Sequence, residues 1–454
     1  MSLPYSRRGA NDERNYRMVS QTLAVLVQGE YAGKIDVYER GFARFEYDRS
    51  YDGPSVSVRM SKGDGPFNDD VVRPWIEGLL PDNSAVRNSM AEQAGCSHTN
   101  PFLLLEHFGR DCPGAVQLCP PDEVATVLMQ EGSYEPISNV EIGRRLREAK
   151  SSTDPVWTEA EEHWSLGGAQ GKISLARIGG HWNSCRGSAA TTHLFKPGVE
   201  GFSLQSLDEY LCMRLAWECG LQVAPVSYEE FDGVPAIVVE RYDREITSNG
   251  LVLRLHQEDL CQALGYMPKD KYTPSPAEIL VLLAADQDGR SINDFVSALF
   301  FNYLIGATDA HAKNYSLMHL ADDDVFLAPL YDVASIFPYA KKKRGARVAA
   351  MPIGKEKRFG RLTGSNIDRF ARSNELDEHA CRDLMERLAI LVHDKVEKVV
   401  HDNLYIGGVR KMGPELVRTV RANCEAMLCN MERDGKTLDA TLCPTIDSGR
   451  LIRS

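Results

Sequence analysis

The sequence predicts an α+β protein in two parts: a small N-terminal α/β domain, then a bilobal unit with a β-rich first lobe and a mostly helical second lobe. Two observations lead there. Strand-like runs of β-branched and aromatic residues gather in 22–60 and again in 173–240, whereas helical periodicity fills 71–118 and nearly everything after 258. At 454 residues and 43% hydrophobic, the chain is also too long for one core and apolar enough for two or three packed units.

In chain order, residues 1–20 are polar and read as a disordered extension without the apolar stretch of a signal peptide. Residues 22–27, 34–37, 43–47 and 55–60 alternate with turns at Gly29, Gly33, Gly41 and Asp52-Gly53, which predicts a small antiparallel sheet. Helical spacing then brings in Trp75, Leu79 and the run 102–105, closing an N-terminal domain over 21–120. Pro120-Pro121 opens a charged connector, 121–162, with one helix around 140–149. The first lobe is expected over 163–245, with strands at 173–178, 192–196, 222–226 and 236–240 and a helix at 207–219. A helical lobe follows over 246–435, interrupted by one strand at 325–330, and a polar tail ends the chain at 436–454.

Composition narrows the function. A net charge of −12 and a pI near 5.5 speak against a broad nucleic-acid surface, because phosphate neutralisation needs Lys and Arg. Eleven cysteines without a CxxC pair read as reduced packing thiols rather than zinc ligands. The most apolar stretches, 279–285 and 295–307, are shorter than the roughly 18 residues of a membrane span. A cytoplasmic protein is expected.

Two lobes with a cleft between them suit a ligand, and the residues that suit phosphoryl transfer occur in a workable order. Ser165-Leu166-Gly167-Gly168-Ala169-Gln170-Gly171-Lys172 precedes a strand, and its glycines let backbone N–H groups approach phosphate oxygens. Lys196 ends the next apolar strand, where a cation for phosphates is wanted, and Glu209 on the following helix is a candidate ion-pair partner. The strongest local signal is 304–314. There an apolar helix delivers a polar loop with Asp309 and Asn314 five residues apart, the spacing that pairs a base for the acceptor hydroxyl with a Mg²⁺ ligand in kinase catalytic loops. Asp332, expected at the end of a short strand, supplies a second carboxylate for the metal. His311 reads as a loop histidine contacting nucleotide or backbone, and Asp322-Asp323-Asp324 as a solvated turn.

Beyond these, Leu79-Leu80-Pro81-Asp82-Asn83, Gly109-Arg110-Asp111 with Gly114-Ala115-Val116, the loop with Gly168-Ala169-Gln170 and Lys172, 239–244, 257–262, 302–314 and Tyr331-Asp332 resemble the HipA family of toxin–antitoxin kinases over about 22–431. The resemblance implies a protein-kinase-like bilobal fold, ATP and Mg²⁺ as cofactors, and a protein serine or threonine as acceptor. In the family the known kind of target is an aminoacyl-tRNA synthetase, whose phosphorylation halts translation. The implied partner is a small helix-turn-helix antitoxin, HipB-like, through which operator DNA is mainly reached. By position, Gly167, Gly168, Ala169, Gln170, Lys172 and Lys196 match the ATP-phosphate site, and Glu240 to Tyr242 match the adenine hinge. Asp309 matches the catalytic aspartate, Asn314 and Asp332 the metal ligands, and Ser165 the self-phosphorylated loop serine. Gly171 departs from the charged residue of the best-known relative, which implies weaker phosphate contacts, and Ala307-Thr308 replace the His-Arg of ordinary protein kinases. A small-molecule phosphotransferase and a co-repressor acting with its antitoxin are the competing readings.

Overall fold

The computed structural model describes residues 18–97, 99–150, 162–168, 170–199, 201–320, 323–339 and 348–433. The expected C-terminal tail, most of the N-terminal extension, and Ala169 and Asp322 lie outside these residues.

Strand Val19–Val27 sits inside a five-stranded antiparallel sheet, between Glu30–Tyr38 and Val116–Cys119, with Ala43–Tyr47 and the short Phe67–Asn68 completing it. Leu23, Val25 and Val27 pack toward Trp75 and Leu105, while Ala24 and Leu26 pack with Cys119 and Val127 on the other face. Burial on both faces is why this strand reads as an unbroken apolar run. Helices Asp69–Gly78, Ser84–Ala94 and Pro101–Phe108 cover one face, the last two started by Asn83 and Asn100, whose side chains accept backbone N–H groups. Residues 55–60 do not form the expected strand. Their donors go elsewhere: Ser55 N–H donates to Asp323 Oδ1 at 2.7 Å and Val58 N–H to Glu258 Oε1 at 2.7 Å, so the segment fastens the N-terminal domain to the helical lobe.

The first lobe is a six-stranded antiparallel sheet in the spatial order Val226–Phe231, Val234–Glu240, His193–Lys196, Ile173–Ile178, His181–Gly187, Gly132–Pro136. Residues 121–162 therefore do more than connect. Gly132–Pro136 is an edge strand, and helix Asn139–Lys150 lays Ile142, Leu146 and Ala149 against Ile173, Phe195 and Phe231 under the sheet. The strand expected at 222–226 is reduced to one bridge between Val223 and Leu330, the ladder beginning only at Val226. Beyond residue 258 the chain is less uniformly helical than its periodicity suggests. Gln257–Asp259, Ser316–His319 and Val325–Leu327 form a three-stranded sheet, and Val348–Ile353 pairs with Glu356–Arg358. Around the large core of this lobe stand helices Ser291–Ile305, Gly364–Ser373, Glu378–Asp402 and Val409–Arg433.

A buried ion network joins the N-terminal domain to the first lobe. Asp111 accepts from Arg244 Nη2 at 2.8 Å, Arg241 Nη1 at 3.2 Å, Arg254 Nε at 3.2 Å and Thr191 Oγ1 at 2.7 Å. Asp243 binds Arg241 and accepts the Gly114 N–H at 2.6 Å. Burial alone would raise the Asp111 carboxyl, yet the three arginines hold it well below the carboxylate range. Much of the likeness in 109–116 and 239–244 is thus an interdomain joint.

Candidate active site

Between the lobes lies a cavity of about 490 Å³, within the size range of small-molecule sites. Its wall includes Gly167, Gly168, Gln170, Lys172, Lys196, Glu240, Tyr242, Asp309, His311, Asn314 and Asp332, so residues far apart in the chain are brought together. Ser165 stands behind that wall.

Lys196 ends a central strand of the first-lobe sheet and is buried there. Its Nζ donates to Glu209 Oε1 at 2.7 Å, from helix Gln205–Glu218, and to Asp332 Oδ1 at 3.1 Å. Burial works against the ammonium charge, but Asp332 and Glu209 outweigh it and raise Lys196 above its ordinary value. Asp332 lies five residues beyond the end of strand Val325–Leu327, not at a strand terminus, and holds a left-handed φ of 57°. Burial would raise its carboxyl too; Lys196 and Lys172 instead keep it below the usual range.

The glycine-rich loop is folded against the N-terminal domain. Gly168 O accepts from Asp82 N–H at 3.0 Å, and the buried Ser165 Oγ donates to Leu79 O at 2.8 Å. Lys172 Nζ reaches Gly167 O, and burial beside Lys196 pushes it down to about 8. Gly171 has a steric reason: a Cβ there would stand 1.8 Å from Ala149 O at the end of helix Asn139–Lys150. A side chain at this position has no room beside that helix.

The opposite wall is the loop after helix Ser291–Ile305. The helix stops at Gly306, whose φ of +77° turns the chain and whose missing Cβ leaves room for the Phe337 ring. Asn423, from the last helix, donates to the carbonyls of Tyr303 at 3.0 Å and Leu304 at 2.9 Å in the last turn of helix Ser291–Ile305, fixing where the loop departs. Asn314 Nδ2 donates to Asp309 O at 2.7 Å, which closes the loop and makes the amide oxygen the end that would meet a cation. His311 is buried with Nε2 3.6 Å from Asp309 Oδ1, its Nδ1 has no hydrogen-bond partner, and burial keeps the ring's pKa low.

Several residues here escaped the sequence reading. Lys313 is buried against Asp259 Oδ2 at 2.9 Å and Gly78 O at 3.4 Å, which pins the catalytic-loop segment to the N-terminal domain. Lys271 Nζ lies 3.5 Å from Asp82 Oδ2, and the Tyr272 hydroxyl donates to Asp309 Oδ1. Lys313, Asp82 and Asp259 lie in the segments 302–314, 79–83 and 257–262 that carry the resemblance, whereas Lys271 and Tyr272 lie in none. The acidic run is not merely solvated: Asp323 accepts from Ser55, and Asp324 Oδ1 from Gln287 N–H at 3.2 Å and Val325 N–H at 2.9 Å.

The donor set suits Mg²⁺-ATP. Among the described residues no three His, Cys, Asp or Glu side chains converge as a metal site, so a Mg²⁺ held by Asn314 and Asp332 would need phosphate oxygens as further ligands. The cations Lys172 and Lys196 are available to such phosphates, and the His311 Nδ1 and Glu209 Oε2 atoms are buried without partners beside them.

Such a fold with such a site defines a kinase. Residues 164–396 match the HipA-like C-terminal domain and residues 23–119 the HipA N-terminal domain. Y4mE of Sinorhizobium fredii, a protein named for kinase activity, is 32% identical over 406 residues, 87% of this chain and 96% of the relative. The serine/threonine-protein kinase toxin HipA of Shewanella oneidensis is 29% identical over 293 residues, 61% of this chain and 66% of its own length. A chain in the solved complex of Shewanella oneidensis MR-1 HipA, HipB and operator DNA superposes with a TM-score of 0.78 at 23% identity, over 91% of this chain and all of that one, a likeness of fold. The chain belongs to the HipA family. No helix among the described residues is long and apolar enough to cross a membrane.

Proposed function

We propose that this chain is a toxin kinase that uses ATP and Mg²⁺ to phosphorylate a serine or threonine of a protein, an aminoacyl-tRNA synthetase being the kind of target the family suggests. The observation that carries the reading is the opposition, across one cavity, of Lys196 with Glu209 and Asp332 to the Asp309–Asn314 loop. Lys172 and Lys196 hold phosphate oxygens, and Asn314 and Asp332 hold the metal, which when bound neutralises charge on the transferring group. Asp309 takes the proton of the acceptor hydroxyl. Glu240 to Tyr242 line the adenine end; the Tyr242 ring stacks on Tyr331 at 5.7 Å and its hydroxyl bonds Gln257 at 3.1 Å, giving that wall a fixed shape.

Ser165 is the self-phosphorylation site in this reading. Its hydroxyl is fully buried on Leu79 O, where a phosphate of about −1.5 to −2 charge has no room, so modification requires the loop to lift off 79–82. A HipB-like helix-turn-helix antitoxin neutralises the kinase and carries it to operator DNA, in keeping with the HipA, HipB and operator DNA composition of the solved relative. Overproduction in a bacterial host tests the reading. Growth should stop with the wild-type chain, continue with Asp309→Asn, and recover when the antitoxin is co-produced. Equal arrest by wild type and Asp309→Asn contradicts a toxin that works by phosphorylation.

A further inference from the structure

Asp309 is open to solvent, its side chain 68% exposed, and yet one oxygen is already engaged. The donor is the hydroxyl of Tyr272, a residue no motif marks. Tyr272 follows the short 3₁₀ turn Pro268–Asp270 and precedes Pro274 and Pro276, so the backbone there is stiffened from both sides. Ala312 N–H donates to Lys271 O at 3.1 Å, which ties this segment directly to the catalytic loop. The Tyr272 ring meets His311 edge-on at 4.9 Å.

Lys271 points into the same space. Among the described residues Asp82 is its one carboxylate partner, and at 3.5 Å the pair is loose. Two other lysines at the cavity are held closer to carboxylates: Lys313 by Asp259 at 2.9 Å and Lys196 by Glu209 at 2.7 Å. Lys271, like Asp309, belongs to the electrostatic surroundings of His311, and the Asp82 Oδ1 atom is buried without a hydrogen-bond partner. A tyrosine hydroxyl on the base and a loosely paired ammonium beside it are what an acceptor hydroxyl and a transferring phosphoryl group would each replace or recruit.

We propose that Lys271 and Tyr272 form the acceptor subsite: the Tyr272 hydroxyl stands where the serine or threonine hydroxyl of the substrate goes, and Lys271 leaves Asp82 for the γ-phosphoryl group. The proposal rests on the kinase reading above. As the substrate enters, Tyr272 gives up Asp309 Oδ1, and the acceptor O–H takes its place. The acceptor oxygen then bonds to the γ-phosphorus while its proton passes to Asp309. The bond from that phosphorus to the β,γ-bridging oxygen breaks, and its electron pair leaves with ADP. Lys271 balances charge on the moving group, and Tyr272 occupies Asp309 Oδ1 until a substrate arrives.

Water is a sufficient acceptor for the test. The full chain and its Tyr272→Phe, Lys271→Met and Lys271→Arg variants are compared for phosphate release from γ-labelled ATP with Mg²⁺, and for ATP affinity by calorimetry. Tyr272→Phe should raise hydrolysis by about fivefold with the ATP dissociation constant unchanged, because the base is uncovered. Lys271→Met should lower hydrolysis by about a hundredfold with at most a small loss of affinity, and Lys271→Arg should recover part of it. A fall in both variants, a parallel loss of ATP affinity, or rates equal to wild type each overturn the subsite. Asp309→Asn separates this from the parent reading: if it releases phosphate as fast as wild type, it is the kinase assignment that fails.

Discussion

Lys196 Nζ lies 3.1 Å from Asp332 Oδ1, so the cation expected to hold phosphates is joined to the carboxylate expected to hold the metal. In the proposed reading Mg²⁺-ATP comes between them, and the consequences differ with and without the metal. Asp332→Asn should weaken ATP binding about tenfold in Mg²⁺, equivalent to about 1.4 kcal/mol. In EDTA the same variant should bind ATP as tightly as wild type or more so, since Lys196 is released. Calorimetry in the two buffers checks this, and equal losses in both would disprove a metal role for Asp332.

Lys172 sets a pH dependence. With its ammonium pushed down to about 8 by burial beside Lys196, the free protein loses this charge as pH rises through that value. Phosphate oxygens favour the charged form, so binding takes up a proton there. Affinity for ATP should be flat below about pH 7.5 and fall by about tenfold for each pH unit well above 8. Lys172→Met should bind more weakly at pH 7 and lose this slope.

The Asp111 network carries stability rather than chemistry. Asp111→Ala leaves Arg241, Arg244 and Arg254 buried around an empty position, and a loss of about 3–5 kcal/mol is expected. Chemical denaturation measures it, and limited proteolysis should show early cutting between the N-terminal domain and the first lobe. The sign of the acid response follows from the lowered carboxyl. Its contribution is complete above the unfolded Asp value of about 3.9 and is lost only as pH falls through the lower folded value.

Asn423→Ala should cost about 1–3 kcal/mol, because the Leu304 carbonyl is then buried without a donor and the Tyr303 carbonyl keeps only the Gly306 N–H at 3.3 Å. A drop in the denaturation midpoint with an unchanged slope is the expected result. An unchanged midpoint would mean that another donor reaches these carbonyls.

Features confined to a short stretch of chain were legible in the sequence. The Asp309 and Asn314 spacing survives because the hydrogen bond closing that loop is itself local, and Glu209 could be paired with Lys196 because one strand and the next helix carry them. Distant or disguised features were not. Gly132–Pro136 is polar and mostly exposed, so it shows none of the alternation that marks a strand. Arg241, Asp243 and Arg244 look like surface charges until Asp111 arrives from another domain to bury them. Tyr272 reaches the site through tertiary contacts alone, and nothing in its neighbours announces it.

The most direct test of the central claim is phosphoryl transfer itself. Wild-type protein and Asp309→Asn, both shown to be folded by their thermal transitions, are incubated with γ-labelled ATP and Mg²⁺ in a lysate of the source organism, and labelled residues are identified by mass spectrometry. The wild-type chain should place label on serine or threonine of a protein acceptor, with Asp309→Asn reduced by at least about a hundredfold. Equal labelling by the two, or no labelling by a wild-type chain that binds Mg²⁺-ATP, would contradict the assignment.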